Sequence, residues 1–286
     1  MSSQLVWLIT GTSSGIGRDL TLAALARGDR VVATARARSI RQLEPLREKG
    51  ADVLELDVTA SLADLHAIAK KAVELHGKVD VVVNNAGYIA VGAIEENTPE
   101  ETFAQFNTNV FGALNVARAF LPYMRARKSG TILWLGSLGG WRFGPNAGLY
   151  AGTKHALRGL SGSLDVEISP LGLRSIIVEL GYFRTNFLTD GNRAPHISRI
   201  DDYAPITGPA NDNLIAYNGK QPGDPKKAAE LMVDLVHGEG AVKGRTIPPV
   251  VDLGSDCHQV VKEAAESTLQ RLEEWKDIAH STDLPK

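Results

Sequence analysis

The sequence predicts an α/β fold built on a doubly wound parallel sheet of about seven strands with helices on both faces. Short β-branched runs alternate with longer helical patterns along the chain. Two runs are continuously apolar, Val81 to Val83 and Ile176 to Val178, which is typical of strands buried on both faces. No internal repeat, low-complexity tract or linker divides the sequence. We therefore expect residues 1–286 to form one domain.

Each element follows from a local pattern. Helix starts are marked by the capping box Thr98-Pro99-Glu100-Glu101 and by Asp224-Pro225. From Phe103 apolar residues recur at helical spacing to about Met124. The predicted strands are residues 5–10, 30–34, 52–56, 79–83, 131–135, 173–180 and 246–251.

Composition narrows the class of protein. With 43% hydrophobic and 22% charged residues, the chain is neither disordered nor a fibrous or disulfide-rich scaffold. Because 31 Lys and Arg face 33 Asp and Glu, a nucleic-acid partner is not expected. No apolar stretch approaches the roughly 20 residues of a membrane span. The first predicted strand starts at Leu5, too near Met1 for a signal peptide to be expected. The single cysteine, Cys257, cannot form an intrachain disulfide, which fits a reducing compartment. We therefore expect a cytoplasmic protein. The seven histidines show no close ligand pairing, so no metal site is expected.

A glycine-rich turn follows the first predicted strand and precedes a helix starting near Arg18. Glycines permit a tight turn, and the N–H groups at a helix N-terminus attract a pyrophosphate. A purely structural turn is the alternative, which the strand before and the helix after disfavour. The candidate phosphate-binding residues are Gly11, Ser13, Ser14, Gly15, Ile16 and Gly17.

The end of the second strand bears on the type of dinucleotide. NAD-binding proteins place an acid here for the ribose hydroxyls. This chain instead has Ala35 followed by Arg36, with Arg38 nearby, which suits a 2′-phosphate. We therefore favour NADP(H) over NAD(H), with a solvated basic turn as the alternative. Further cofactor candidates at the ends of the next two strands are Asp57, Val58, Asn84, Ala86 and Gly87.

Tyr150 and Lys154 lie four residues apart in a helical pattern, which places both side chains on one face. A neighbouring ammonium is expected to lower the pKa of the tyrosine, so that Tyr150 can exchange a proton with a carbonyl or alcohol oxygen. Ser137 ends the fifth predicted strand, where its hydroxyl can bind the same oxygen. A Tyr-Lys pair alone is common on ordinary helices; joined to Ser137 and the glycine turn it indicates an active site.

Together these motifs resemble the short-chain dehydrogenase/reductase family over about residues 5–185, including Asn84-Asn85-Ala86-Gly87 and Asn109. The resemblance implies a Rossmann-type fold, a nicotinamide cofactor, chemistry at C=O and CH–OH groups, and a catalytic tetrad of Asn109, Ser137, Tyr150 and Lys154. It also implies that Asn109 holds a water linking Lys154 to bulk solvent.

The chain departs from this family where Leu180, in place of the usual Pro, precedes Gly181. Losing a rigid residue changes the path expected for the loop facing the nicotinamide. Gly181, Phe183 and Thr185 are the cofactor candidates of that loop.

The tail at residues 254–283 has the pattern of a long amphipathic helix, with Ser255 as an N-cap candidate. In this it resembles the longer-tailed members of the family. Such a helix could join subunits in a homodimer or homotetramer, or it could cover an edge of the sheet. Packing of the helix on its own domain is the other alternative.

Residues 186–223 are rich in Pro and Gly and lack a clean period, which indicates a lid over the pocket, with a surface insertion as the alternative. Aromatic and apolar residues nearby suggest a small apolar carbonyl or alcohol substrate. The pocket candidates are Leu138, Trp141, Phe143, Tyr182 and Phe187.

The sequence thus predicts an NADPH-dependent ketone or aldehyde reductase, or the same enzyme acting as a secondary-alcohol dehydrogenase. Two alternatives are an NADP(H)-binding regulatory protein and a non-redox lyase on the same fold. A regulator is expected to have a damaged catalytic set, and a lyase to lack the glycine turn and the lysine; this chain keeps them all.

Overall fold

Seven parallel strands form the central sheet, in the order β3-β2-β1-β4-β5-β6-β7. The computed structural model describes residues 4–189 and 191–284. The sheet confirms the predicted architecture and strand number. The strands are β1 (Val6–Ile9), β2 (Arg30–Ala35), β3 (Asp52–Glu55), β4 (Val81–Asn84), β5 (Gly130–Leu135), β6 (Leu173–Leu180) and β7 (Val250–Leu253).

The sheet is buried on both faces, as its continuous apolar runs predict. Every side chain of β1 and β4 is buried. The helices are α1 (Gly15–Arg27), α2 (Glu44–Glu48), α3 (Leu62–His76), α4 (Pro99–Phe106), α5 (Ala113–Arg127), α6 (Gly148–Ile168), α7 (Ala204–Tyr217), α8 (Pro225–His237), α9 (Ser255–Glu274) and α10 (Lys276–His280). Trp134 and Phe120 lie in an apolar layer with residues of α3, α5 and α6, whereas Trp7 and Leu20 lie in the opposite layer with residues of α1 and α8.

The strand order places a crevice at one edge of the sheet. From β1 the chain builds outward through β2 and β3, and it then returns to build β4 to β7 on the other side of β1. In a parallel sheet this reversal leaves a gap outside the carboxyl ends of the strands, where ligands bind. The crevice therefore lies between the turns that follow β1 and β4.

Most predicted strands agree with the structure to within one or two residues, and the largest departures are in two elements. The last strand begins at Val250 instead of residue 246, because Pro248 and Pro249 have no N–H to donate to a neighbouring strand. The helix predicted from Phe103 to about Met124 is interrupted by a π-helical turn, Asn107–Gly112, and extends to Arg127. Such widened turns often occur at functional sites.

The segment predicted as a lid contains a helix, α7, that the sequence did not reveal. Its pattern is obscured by Pro205 in the first turn and Pro209 inside the helix. A first-turn proline costs no hydrogen bond, because that N–H has no partner within the helix. The buried Asn146 side chain donates to the Thr207 carbonyl over 2.6 Å, which fixes α7 to the domain.

The tail is helical as predicted, but Trp275 divides it into α9 and α10, and two further corrections apply. Ser255 is the first residue of α9 and Gly254 precedes it, so Ser255 is not the N-cap. The outer half does not pack on its own domain: Leu269 is 67% exposed, Leu272 55% and Trp275 58%. None of the described helices is long and apolar enough to cross a membrane.

Candidate active site

A cavity of about 1580 Å³ occupies the crevice at the carboxyl ends of the strands. Its wall combines the turns after the first six strands with parts of residues 186–223 and the start of α6. The predicted cofactor and catalytic residues that line it are Gly11, Ser13, Ser14, Gly15, Ile16, Arg36, Asp57, Val58, Ala86, Gly87, Ser137, Tyr150, Lys154, Gly181, Phe183 and Thr185.

The glycine turn brings the start of α1 onto the cavity wall. Gly11 and Gly15 have φ values of 70° and 57°, which favour glycine. Gly17 is packed behind the wall, where a Cβ would lie 2.6 Å from the Gly11 carbonyl oxygen. Asn85 braces the turn by donating from Nδ2 to the carbonyls of Thr10 (2.7 Å) and Gly11 (2.9 Å). The first-turn N–H groups of α1 have no partners within the helix, so this turn fits a pyrophosphate.

The end of β2 gives the cavity a cationic rim. Ala35, Arg36 and Arg38 line it, and both arginines are exposed. Asp57 is the single acidic side chain among the described residues of the lining, and its Oδ1 accepts bonds from the N–H (2.9 Å) and hydroxyl (2.7 Å) of Thr59. The rim therefore fits a phosphate beside Arg36.

Two predicted asparagines lie behind the wall. The Asn84 side chain is buried and does not line the cavity, whereas Asn85 does. Asn109, in the π-helical turn, accepts from the Tyr88 N–H over 3.1 Å and donates to the Tyr88 carbonyl over 3.0 Å. It also donates to the Thr153 hydroxyl over 3.3 Å. Asn109 therefore links the loop after β4 to α6, the helix that carries Tyr150 and Lys154.

Ser137, Tyr150 and Lys154 come together on one wall, as their spacing predicts. Lys154 Nζ donates to the Leu135 carbonyl over 2.7 Å and lies 5.4 Å from the centre of the Tyr150 ring. The Ser137 hydroxyl accepts from the Gly139 N–H over 3.0 Å. The end of β5 thus holds both the serine and the lysine.

The pKa expected for Tyr150 is corrected by the structure. Burial raises the pKa of this phenol above its ordinary value, and a hydrogen bond with Ser137 opposes the rise. Burial also lowers the pKa of Lys154 to about 8. The spacing of Tyr150 and Lys154 reveals the neighbouring ammonium but not the desolvation of the phenol, which is the larger effect on its pKa. Tyr150 is therefore a protonated phenol at neutral pH.

A further ionisable group, Glu179 near the end of β6, was not predicted from the sequence. Its side chain is fully buried, and Oε2 accepts from the Ser137 N–H over 2.6 Å. Burial raises the pKa of this carboxyl to about 7. A charged residue within the apolar run Ile176 to Leu180 was the available signal, since a buried acid is unusual in a central strand.

The loop after β6 is held by Asp256 at the start of α9, a second residue that was missed. Asp256 Oδ2 accepts from the Tyr182 N–H over 2.7 Å. A Cβ at Gly181 would overlap Oδ1 of the same carboxylate, so glycine is required there. Arg184 N–H also donates to the Gly223 carbonyl over 2.9 Å. These contacts define the path of the loop that Leu180 introduces.

The predicted pocket residues do not all reach the cavity. Leu138, Phe143, Tyr182 and Phe187 line it, whereas Trp141 does not. The Arg158 guanidinium lies 3.3 Å from the centre of the Trp141 ring, which keeps this indole against α6. Phe143, at 88% exposed, stands at the mouth. The Phe187 ring lies 5.8 Å from the Tyr150 ring, so the start of the segment 186–223 lies beside Tyr150.

The polar groups of the cavity wall are unevenly distributed between its two ends. Within residues 4–189 and 191–284, no group of three His, Cys, Asp or Glu side chains is placed to hold a metal ion. The arrangement offers a phosphate-binding turn at one end and a hydroxyl, a phenol and an ammonium at the other. It can bind a dinucleotide and transfer a proton to a substrate oxygen.

Comparison with known proteins supports this interpretation. A family model described as short chain dehydrogenase matches residues 5–195. Oxidoreductase BOA17 of Botryotinia fuckeliana is 32% identical over 96% of this chain and 97% of its own length. A short-chain dehydrogenase from Streptomyces avermitilis superposes with a TM-score of 0.86 at 35% identity, covering 99% and 100% of the two chains. A variant of actinorhodin polyketide ketoreductase, solved with NADPH, has a TM-score of 0.71 at 29% identity, covering 88% and 97%. The protein is therefore an oxidoreductase that belongs to the short-chain dehydrogenase family.

Proposed function

We propose that the protein is an NADPH-dependent reductase of ketones or aldehydes, acting in the reverse direction as a secondary-alcohol dehydrogenase. The observation that carries this proposal is the meeting of Ser137, Tyr150 and Lys154 on one wall of the cavity that also contains the glycine turn. A phenol, a hydroxyl and an ammonium at one point suit proton transfer to a polarised oxygen.

The residues that would hold the cofactor are those of the glycine turn and the β2 end. The N–H groups at the start of α1 would bind the pyrophosphate. Arg36 would bind the 2′-phosphate of NADPH, and Asp57 would accept from the adenine amino group. The lack of an acid at the end of β2 among the described lining residues favours NADPH over NADH. The ketoreductase neighbour solved with NADPH supports the same choice.

The chain's own residues then perform the proton chemistry. When bound, the nicotinamide supplies a hydride to the carbonyl carbon. Tyr150, which its raised pKa keeps protonated, donates its phenolic proton to the carbonyl oxygen. The Ser137 hydroxyl donates to the same oxygen as negative charge develops there. Lys154 stabilises the phenolate left on Tyr150, and Asn109 fixes α6 against the loop after β4.

The substrate end favours a small molecule that is apolar beside its carbonyl group. Leu138, Phe187 and Leu188 line the cavity there, and Phe187 packs against Tyr150. We assign a lid role to the segment 186–223, because Phe187, Leu188 and Leu214 line the cavity. The Asn146 contact to Thr207 joins α7 of this segment to the domain.

Cofactor consumption tests the proposal. Oxidation of NADPH and of NADH is followed with aliphatic, aryl and polycyclic ketones and with sugars. We expect oxidation of NADPH, faster than of NADH, with at least one apolar ketone. Binding of NADPH without oxidation by any carbonyl compound would instead favour the regulatory alternative.

A further inference from the structure

Glu179 lies directly behind the proposed catalytic residues. It is paired with Asp252 of β7 in the strand register and is fully buried. Its carboxylate accepts from the Ser137 N–H, and a Cβ at Gly136 would overlap Oε2. Glycine at residue 136 therefore makes room for this carboxylate, which fixes two successive residues at the end of β5.

Lys154 reaches the same strand end: its Nζ donates to the Leu135 carbonyl over 2.7 Å, two residues before the Ser137 N–H that the Glu179 carboxylate accepts. Burial lowers the pKa of Lys154 to about 8, and the negative charge of Glu179 is the effect that opposes this decrease. In return Lys154 opposes the rise that burial causes in the pKa of Glu179, which remains at about 7. Because both groups titrate near neutral pH, the charge of each affects the other in the working range.

The remaining charged groups around Glu179 do not replace it. On α6, Arg158 lowers the pKa of Glu179, and the charge of Glu179 in turn raises the pKa of Tyr150. On β7, Asp252 raises the pKa of Glu179. On α9, the Cys257 thiol donates to the Glu179 backbone carbonyl over 3.4 Å, and burial raises the pKa of this thiol to about 12. In the described part of the chain, Glu179 is the one residue whose charge raises the pKa of Lys154.

Burying a carboxylate costs more free energy than accepting one backbone N–H requires. Glu179 Oε1 has no hydrogen-bond partner among the described residues. Burying a partly unpaired carboxylate destabilises the fold, and a neutral amide would accept the Ser137 N–H at lower cost. A purely structural role therefore does not explain a charged side chain here.

We propose that Glu179 is a positioning residue of the reaction, whose buried carboxylate holds the Ser137 backbone and maintains the positive charge on Lys154. The inference rests on the proposed carbonyl reductase function. It assigns to β6 an electrostatic part in catalysis that the Ser-Tyr-Lys set alone does not include.

The test is the pH dependence of kcat in Glu179→Gln, which keeps an acceptor oxygen and loses the charge. We expect the alkaline fall in kcat to occur about one pH unit lower than in the wild type, with kcat on the acid side within about twofold. Asp252→Asn is the matched control, because it removes a neighbouring negative charge that acts on Glu179 but not on Lys154. Its alkaline limb should stay near that of the wild type.

Different outcomes distinguish a failure of the Glu179 role from a failure of the proposed function. An unchanged alkaline limb in a folded Glu179→Gln variant would overturn the role of Glu179, as would an equal loss of kcat at every pH. If no carbonyl compound supports NADPH oxidation by the wild-type protein, the proposed function itself is wrong. If Glu179→Gln does not fold, infrared spectra of the wild type decide: we expect a carboxyl that ionises near neutral pH, and no such ionisation up to about pH 9 would refute the proposal.

Discussion

Replacing Arg36 by alanine tests the cofactor preference in a way that the structure makes quantitative. The guanidinium is exposed on the cavity rim directly after Ala35, and Asp57 is the single acidic side chain of the described lining. A hydrogen bond from a charged group contributes about 1.5–3 kcal/mol when well formed. Solvent screening reduces this on an exposed rim to about 1–2 kcal/mol. Arg36→Ala should therefore raise the Kd of NADPH about 5- to 30-fold.

The assay is a fluorescence titration of each variant with NADPH and with NADH. The Kd of NADH should change less than about twofold, since NADH has no 2′-phosphate. Arg41→Ala is the matched control: this arginine is exposed on the turn that follows β2 but does not line the cavity. An unchanged ratio of the two Kd values in Arg36→Ala would refute the assignment of Arg36 to the 2′-phosphate.

Two further predictions concern the glycine turn and the lysine. Gly17→Ala should weaken NADPH binding at least about tenfold, because the added Cβ would lie 2.6 Å from the Gly11 carbonyl oxygen. Gly162→Ala, on a helix with nothing within 4 Å of the added atom, should leave the Kd unchanged, and equal Kd values in both variants would count against the packing argument. In the wild type, kcat should fall on the alkaline side with a pKa of about 8, since Lys154 loses its proton there. This corresponds to about a tenfold loss by about pH 9, and a rate that stays level to about pH 10 would contradict it.

Local patterns were sufficient for the scaffold. The capping box at Thr98 and the start at Asp224 are present as predicted, because each depends on residues within one helical turn. The glycine turn and the Tyr150 and Lys154 pair were also predictable, since both follow from short spacings. Pro209, by contrast, hides α7, whose position depends on tertiary contacts such as that of Thr207 with Asn146.

The parts of the site that were missed depend on contacts between distant segments. Glu179 of β6 accepts a hydrogen bond from Ser137, which follows the neighbouring strand β5. Asp256 of α9 accepts one from Tyr182, which lies 74 residues earlier in the chain. Trp141 was predicted to line the pocket as an aromatic residue beside the cofactor-side loops, yet it does not line the cavity and its ring packs against Arg158. The pKa of Tyr150 likewise depends on burial, which spacing does not reveal.

Turnover by Tyr150→Phe is the decisive measurement of whether Tyr150 is the proton donor. NADPH oxidation is measured with the best ketone of the panel for the wild type and for this variant, and the Kd of NADPH is measured for both. Removal of the phenolic proton should lower kcat at least about 100-fold while the Kd changes less than about threefold. Near wild-type turnover in Tyr150→Phe, with NADPH still bound, would show that Tyr150 is not the proton donor and would contradict the account.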